Sequence, residues 1–126
     1  MKKVIALFGA SGQTGQHFLE FALASGYEVK ALVRTPEKIS QSNSKLEIHK
    51  GDVLNIEDVK HVVEGTDIVV SLFGHVKGSP ELLQTNGTKN IVEAMKENSI
   101  KRIISLSGAE LRRNVIPLFQ YFKFLL

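Results

Sequence analysis

Three glycines follow the first apolar run of the chain, with two residues between each pair. The run covers residues 4–8, the glycines are Gly9, Gly12 and Gly15, and an amphipathic segment starts directly after them. Gly9 would let the chain turn sharply, Gly12 would let the backbone approach a ligand, and Gly15 would let helix and strand pack closely. The free N–H groups and positive dipole end of such a helix bind phosphate or pyrophosphate. The stretch therefore predicts a nucleotide site, with a plain strand–turn–helix junction as the alternative.

Arg34 follows the second apolar run, at the point where an NAD-binding protein usually has an acid for the ribose 2′-hydroxyl. A guanidinium there can pair with a 2′-phosphate through two charge-assisted hydrogen bonds. Lys38 adds a second positive charge four residues later. These residues favour NADP(H) as the cofactor. Glu37 could instead bind a ribose, which keeps NAD open, and Arg34 could be a solvated residue at a strand end.

Candidate ligand residues also follow the third and fourth predicted strands. Asp52 and Val53 would meet an adenine, with a carboxylate near its exocyclic amine and an apolar wall; Asp52 as a turn or cap residue is the alternative. Phe73, Gly74 and His75 would line the ribose or nicotinamide. His75 could donate a hydrogen bond there, although we favour a solvated loop histidine.

Ser107 follows the fifth predicted strand and would face the nicotinamide, where its hydroxyl could bond the carboxamide or a substrate. Ser105 is its nearest rival, since alternation along a strand puts both on one face. The remaining histidines, His17, His49 and His61, lie on separate predicted elements without ligand spacing. We therefore predict no metal site.

Alternating strands and helices must position these residues. The predicted strands cover 4–8, 28–33, 46–50, 67–73 and 100–106; the helices cover 14–24, the segment from the N-cap Asn55 to Gly65, and a long segment from Ser79-Pro80-Glu81, with a helical turn at 36–38. Asp58 would complete an imperfect capping box with Asn55. The last helix would bury Leu82, Leu83, Ile91, Val92, Ala94 and Met95.

This order predicts an α/β fold with a doubly wound parallel sheet and right-handed crossovers. The simplest strand order is 3-2-1-4-5, in which ligands bind beyond the carboxyl ends of the strands. The 126 residues suit a single domain covering 1–126.

Composition excludes several other classes. The basic residues behind the net charge of +3 are scattered among acids, so no nucleic-acid face is predicted. The absence of cysteine excludes disulfides, thiolate metal sites and a cysteine nucleophile. No segment has the roughly 18 to 20 apolar residues needed to cross a bilayer, so we expect a cytoplasmic protein without membrane association.

The tail, residues 111–126, is unusually apolar and aromatic after Arg112 and Arg113. A soluble domain does not leave such a stretch exposed. Either the natural chain continues past Leu126 and the tail begins a further C-terminal part, or the tail packs into a partner, including a second copy of the chain. We favour the first interpretation, and with it a C-terminally truncated fold.

With these residues in hand, the chain resembles the atypical short-chain dehydrogenases/reductases, and within them the biliverdin-IXβ reductase/flavin reductase type. The resemblance covers nearly the whole chain. Its glycine motif belongs to the wider superfamily, whereas its combination with Arg34 and Asp52-Val53 is more specific. The stretches that carry it are 5–15, 26–29, 32–34, 51–54 and 90–96.

The resemblance implies a Rossmann fold that binds NADP(H) and transfers hydride to a planar acceptor such as a flavin, quinone or bilin. It places Ser107 at the family's active-site serine and Phe73-Gly74-His75 on the nicotinamide side. Tyr121 does not match the Tyr-x-x-x-Lys pair of ordinary short-chain dehydrogenases, because Leu125 stands at the fourth position after it. The residues implied to bind the cofactor are Gly9, Ser11, Gly12, Gln13, Thr14, Arg34, Asp52 and Val53.

Two functional classes remain open from the sequence. The first is an NADPH-dependent reductase of a planar acceptor. The second is an NADP-sensing regulatory protein, similar to the NmrA-like members of the superfamily, which binds the cofactor without catalysis. A partial gene product, whose further residues carry the activity, is a third interpretation.

Overall fold

The computed structural model describes residues 3–72 and 83–105, and within them five strands alternate with three helices. The strands form one parallel sheet in the order β3-β2-β1-β4-β5, which confirms the predicted order. A short 3₁₀ turn, Pro36–Lys38, follows β2. The elements are β1 Val4–Phe8, α1 Gln13–Ala24, β2 Glu28–Val33, β3 Leu46–Lys50, α2 Ile56–Val63, β4 Ile68–Ser71, α3 Leu83–Glu97 and β5 Ile103–Ser105.

The central strand β1 is buried on both faces, as its unbroken apolar sequence predicts. Ile5 and Leu7 belong to a core with α1, whereas Ala6 and Phe8 belong to a second core with α2 and α3. Successive side chains of a strand point to opposite faces, so one short strand supplies both cores. This double packing fixes the end of β1, and therefore the glycine turn, relative to all three described helices.

Side chains form hydrogen bonds with the backbone at both ends of helix α2. Asn55 Oδ1 accepts from the N–H groups of Glu57 and Asp58 at 3.0 and 3.3 Å, which confirms Asn55 as the N-cap. At the other end, Lys30 Nζ donates to the carbonyl oxygen of Glu64 at 2.8 Å. This ammonium satisfies a terminal carbonyl at the negative end of the helix dipole. The helix ends at Val63, earlier than the predicted boundary.

The end of α3 shortens the fifth strand relative to the prediction. Ser99 has a left-handed φ of 57°, and the N–H of Ile100 donates to the carbonyl oxygen of Met95 at 2.9 Å. Residues 98–102 therefore terminate the helix and connect it to the sheet. As a result, β5 starts at Ile103 instead of Ile100.

Two further details differ from the sequence prediction. Val92, predicted to be buried on α3, is 38% exposed, whereas Ile91, Ala94 and Met95 are buried as predicted. The fourth strand starts at Ile68, one residue later than predicted. Asp67 just before it pairs with Val4 twice: its N–H donates to the carbonyl oxygen of Val4, and its carboxylate accepts from the N–H of Val4, both at 2.8 Å.

Several predicted features lie outside the described residues. They are the start of the long helix at 79–82, the nicotinamide-side residues Phe73, Gly74 and His75, the candidate catalytic residue Ser107 and the tail 111–126. Within 3–72 and 83–105, no helix is long and apolar enough to cross a membrane.

Candidate cofactor-binding site

Two of the three glycines are required by the fold itself. Gly9 has a φ of 92°, a conformation that side chains other than glycine rarely adopt. A Cβ atom on Gly15 would lie 1.9 Å from the carbonyl oxygen of Gly9 and 2.9 Å from the Cα of Ala10. Helix α1 can therefore approach the end of β1 only because Gly15 has no side chain, as the sequence predicts.

Gly12 is different, because nothing in the described residues requires a glycine there. Its φ of −75° and ψ of 168° are open to any residue. A Cβ atom would meet the carbonyl oxygen of Gly9 only at the ordinary contact distance of 3.7 Å. Gly12 is exposed and forms the N-cap of α1. The missing side chain thus leaves open space at the helix N-terminus, which fits the close approach of a phosphate group.

The N-terminus of α1 also lacks the groups that usually neutralise it. Gly12 provides no side-chain cap, and the first turn contains no acidic residue. The helix begins with Gln13 and Thr14, both predicted cofactor residues, and their backbone N–H groups are at the positive end of the dipole. The side-chain amide of Gln16 donates to the carbonyl oxygen of Ser11 at 2.8 Å and holds the turn in place. The arrangement suits a pyrophosphate.

A cavity of about 110 Å³ lies beyond the carboxyl ends of β1, β2 and β3. It brings together five predicted cofactor residues that are far apart in sequence: Gly9, Ser11, Arg34, Asp52 and Val53. Its other lining residues are Phe8, Ala10, Leu32, Val33 and Gly51. Because parallel strands bring their carboxyl ends to one edge, the sheet order alone creates this convergence.

The cationic side of the cavity is formed by Arg34, which follows β2 directly. Arg34 and Lys38 are both exposed, and no acidic side chain of the described residues is within ion-pair distance of either. Lys38 is held near Arg34 by the 3₁₀ turn, in which its N–H donates to the carbonyl oxygen of Thr35 at 3.0 Å. Glu37 is also exposed in this turn. A guanidinium at the cavity rim fits a bound phosphate group.

Asp52 is a turn residue, as in the alternative considered for it, and it also lies at the cavity. Its Oδ1 accepts from the N–H of Leu54 at 2.9 Å, so it is a turn residue. It also lines the cavity beside Val53. The turn orients the carboxylate, and Oδ2 forms no hydrogen bond with the described residues.

Sequence reasoning gave two other residues no role in the site. Asp58 Oδ2 accepts from the N–H of Asp52 at 3.0 Å, instead of completing the capping box with Asn55. Asn90 Nδ2 donates to the carbonyl oxygen of Val53 at 2.9 Å from the middle of α3. The available signal for Asn90 was its residue type, because asparagine is unfavourable inside a helix without a partner.

Two of the histidines are closer than the sequence indicated. The rings of His49 and His61 have centroids 5.0 Å apart in an edge-on arrangement, and His49 Nε2 is 3.6 Å from a carboxylate oxygen of Glu47. The described residues nevertheless contain no group of three side chains able to hold a metal ion.

The chain is similar to known reductases and NAD(P)-binding proteins. The chain is 28% identical over 117 residues to cinnamoyl-CoA reductase 2 of Medicago truncatula, covering 84% of this chain but only 35% of that protein. A Rossmann-fold NAD(P)-binding family protein from Shigella flexneri has a TM-score of 0.68 at 28% identity, with 82% of this chain and 50% of that one covered.

The fold is also shared with yeast methylglyoxal/isovaleraldehyde reductase in complex with NADPH, with a TM-score of 0.68 at 20% identity over 81% of this chain and 36% of that one. A family model described as NAD(P)H-binding matches residues 9–124, which include the glycine turn, every cavity-lining residue except Phe8, and α3. The chain therefore belongs to the NAD(P)H-binding family of Rossmann-fold proteins.

Proposed function

We propose that the protein is an NADPH-dependent reductase that transfers hydride to a small planar acceptor. The observation that carries the cofactor choice is that Arg34 and residues of the glycine turn line the same cavity. A reductase role is also supported by the 28% identity to a cinnamoyl-CoA reductase. The chain spans about a third of that relative's length. The identity of the acceptor and the catalytic turnover are therefore part of what we propose.

The cavity and the adjoining start of α1 would hold different parts of the cofactor. The N–H groups at the start of α1, next to Gly12, would bind the pyrophosphate. Asp52 would accept a hydrogen bond from the adenine amine, and Val53 would contact the ring. Arg34 would pair with the 2′-phosphate, and Lys38 would add positive charge. When bound, the cofactor supplies the hydride, and the protein supplies binding and orientation.

The acceptor we propose is a flavin, a quinone or a bilin-like molecule stacked on the nicotinamide. Ser107 would bond the carboxamide or the acceptor, and Phe73-Gly74-His75 would line that side. This assignment rests on the sequence. An aldehyde or thioester carbonyl is a second acceptor class, supported by the similarity to cinnamoyl-CoA reductase.

The first test is a pair of fluorescence titrations with NADPH and NADH. We expect tighter binding of NADPH, and Arg34→Ala should weaken it by about 10- to 100-fold, the value of one to two charge-assisted hydrogen bonds. NADH binding should change little. Arg34→Lys should fall between the two, because an ammonium cannot form the bidentate pair. Arg102→Ala is the control, because it removes a guanidinium just before the amino end of β5, at the opposite end of the sheet from the cavity. Equal affinity for both nucleotides would refute the NADPH assignment.

The second test adds FMN, a quinone or cinnamaldehyde to the NADPH complex and follows the loss of NADPH absorbance. Consumption with a planar acceptor supports the proposal, and consumption with cinnamaldehyde alone would transfer it to carbonyl reduction. Binding without consumption would contradict turnover by this chain and favour either the NADP-sensing regulatory protein or a partial enzyme. Only for the regulatory protein would Ser107→Ala leave the function unchanged.

A further inference from the structure

The loop formed by Gly51, Asp52 and Val53, here the adenine-side loop, is held by side chains from two helices. Asp58 of α2 accepts from the N–H of Asp52 at 3.0 Å, and Asn90 of α3 donates to the carbonyl oxygen of Val53 at 2.9 Å. Both hydrogen bonds are partly buried. A helix that follows the loop directly and a helix distant in sequence thus hold the two ends of the segment Asp52-Val53 in one wall of the cavity.

The start of the loop is fixed by packing and by the sheet. The N–H of Gly51 donates to the carbonyl oxygen of Val33 at 2.9 Å, next to Arg34. A Cβ atom on Gly51 would lie 2.7 Å from the carboxylate of Asp58 and 2.9 Å from the side chain of Leu32. The carboxylate of Asp58 therefore fits against the backbone of the loop only because Gly51 has no side chain.

These contacts are not explained by the needs of the helices. Asp58 is at the third position of α2, where an acid can fold back to the N-cap N–H. That N–H, of Asn55, instead donates to the carbonyl oxygen of Asp52 at 2.9 Å. Asn90 is inside α3, where asparagine is unfavourable unless its amide has a partner. Both side chains therefore form their hydrogen bonds with the backbone of the loop instead of with their own helices.

We propose that Asp58 and Asn90 are positioning residues that preorganise the adenine-side loop for the adenine end of the cofactor. This inference rests on the proposed function. Neither side chain lines the cavity; they act through Asp52 and Val53, which do. A loop held in its binding conformation loses less conformational entropy when the ligand binds, so affinity rises without a new contact.

The experiment compares Asn90→Ala with Asn98→Ala. Asn98, directly after α3, donates from Nδ2 to the carbonyl oxygen of Ala94 in that helix at 2.8 Å, so the control removes the same kind of amide-to-carbonyl hydrogen bond away from the loop. Calorimetric titration with 2′,5′-ADP, which contains the adenine end alone, should show about three- to tenfold weaker binding for Asn90→Ala. Asn98→Ala should bind like the wild type. Reduced nicotinamide mononucleotide, which lacks the adenine, should be unaffected by either variant.

A second pair of variants tests Asp58 independently. Asp58→Asn keeps an acceptor oxygen for the N–H of Asp52 and should retain most of the affinity, whereas Asp58→Ala should weaken 2′,5′-ADP binding about tenfold. A structural role would instead lower the stability of both Asp58 variants without this difference in binding. Urea denaturation of each variant establishes that the titrated protein is folded.

Unchanged 2′,5′-ADP affinity in folded Asn90→Ala and Asp58→Ala would overturn the positioning role while leaving the proposed function intact. An equal loss in Asn98→Ala would also overturn it. If the wild-type chain binds neither nucleotide nor 2′,5′-ADP, the proposed function fails together with this inference.

Discussion

Alanine substitution at Gly12 and at Gly15 should separate cofactor binding from folding. Both glycines belong to the same turn, and both changes add a single methyl group. At Gly15 that methyl would lie 1.9 Å from the backbone oxygen of Gly9, and backbone cannot rotate away as a side chain can. At Gly12 the methyl would lie 3.7 Å from the backbone oxygen of Gly9, an ordinary contact distance, and alanine can adopt the backbone conformation of Gly12.

The expected stability changes follow from these distances. Gly15→Ala should cost about 3 kcal/mol, the upper end of the overpacking range, because helix α1 must move away from β1. Gly12→Ala gains about 0.4–1 kcal/mol from a less flexible unfolded chain. It loses about 0.5–1 kcal/mol because alanine is a poor N-cap. The net change should be within about 1 kcal/mol.

Urea denaturation followed by circular dichroism measures the difference. With a slope of about 2 kcal/mol per molar urea, the midpoint should fall by about 1.5 M for Gly15→Ala and by less than about 0.5 M for Gly12→Ala. NADPH titration of folded Gly12→Ala should show at least about tenfold weaker binding, because the methyl occupies the space for the phosphate. Wild-type affinity in Gly12→Ala, or equal loss of stability in both variants, would refute the reasoning.

Three further outcomes are expected. Lys38→Ala should weaken NADPH binding less than Arg34→Ala, since a single ammonium offers no bidentate pair; fluorescence titration of both variants checks this order. Asn55→Ala should lower the free energy of unfolding by about 1 kcal/mol through loss of the α2 N-cap, and Asn55→Asp, which keeps an acceptor, should lose less. The hydrogen bond from Lys60 to Glu97, at 3.2 Å, raises the pKa of Lys60 above its usual 10.5. The resulting stabilisation should be constant from neutral pH to the unfolded pKa of 10.5 and disappear as the pH rises through the higher folded pKa. Glu97→Gln should make this alkaline loss smaller, because it removes the largest cause of the raised pKa and leaves the weaker attraction of Glu57 and Glu93.

The individual elements follow closely from sequence pattern. The bounds of β1, β2 and β3 were predicted to the residue, because each strand is enclosed by glycine, proline or polar residues that end it. The position of the end of β3 was predicted, but the hydrogen bonds that follow it were not. Asp58 could accept from the N–H of Asn55 or from that of Asp52, and the sequence did not show that it accepts from Asp52. The start of β5 was predicted too early. Helix α3 ends through the left-handed conformation of Ser99, and a serine does not signal a helix end as a glycine does.

By itself, the sequence determined the alternation of strands and helices, the glycine turn, and the residue types that meet a nucleotide. Those signals are local: periodicity, turn chemistry and the order of residues along a strand end. Only the tertiary structure decided that Gly12, unlike Gly9 and Gly15, is not required by the fold, and that Asn90 reaches the loop at Val53. The first conclusion depends on the backbone conformation that the folded turn gives Gly12 and on its 3.7 Å distance from the carbonyl oxygen of Gly9. The second depends on a contact between segments 37 residues apart, which arises only when the parallel sheet packs α3 beside the end of β3.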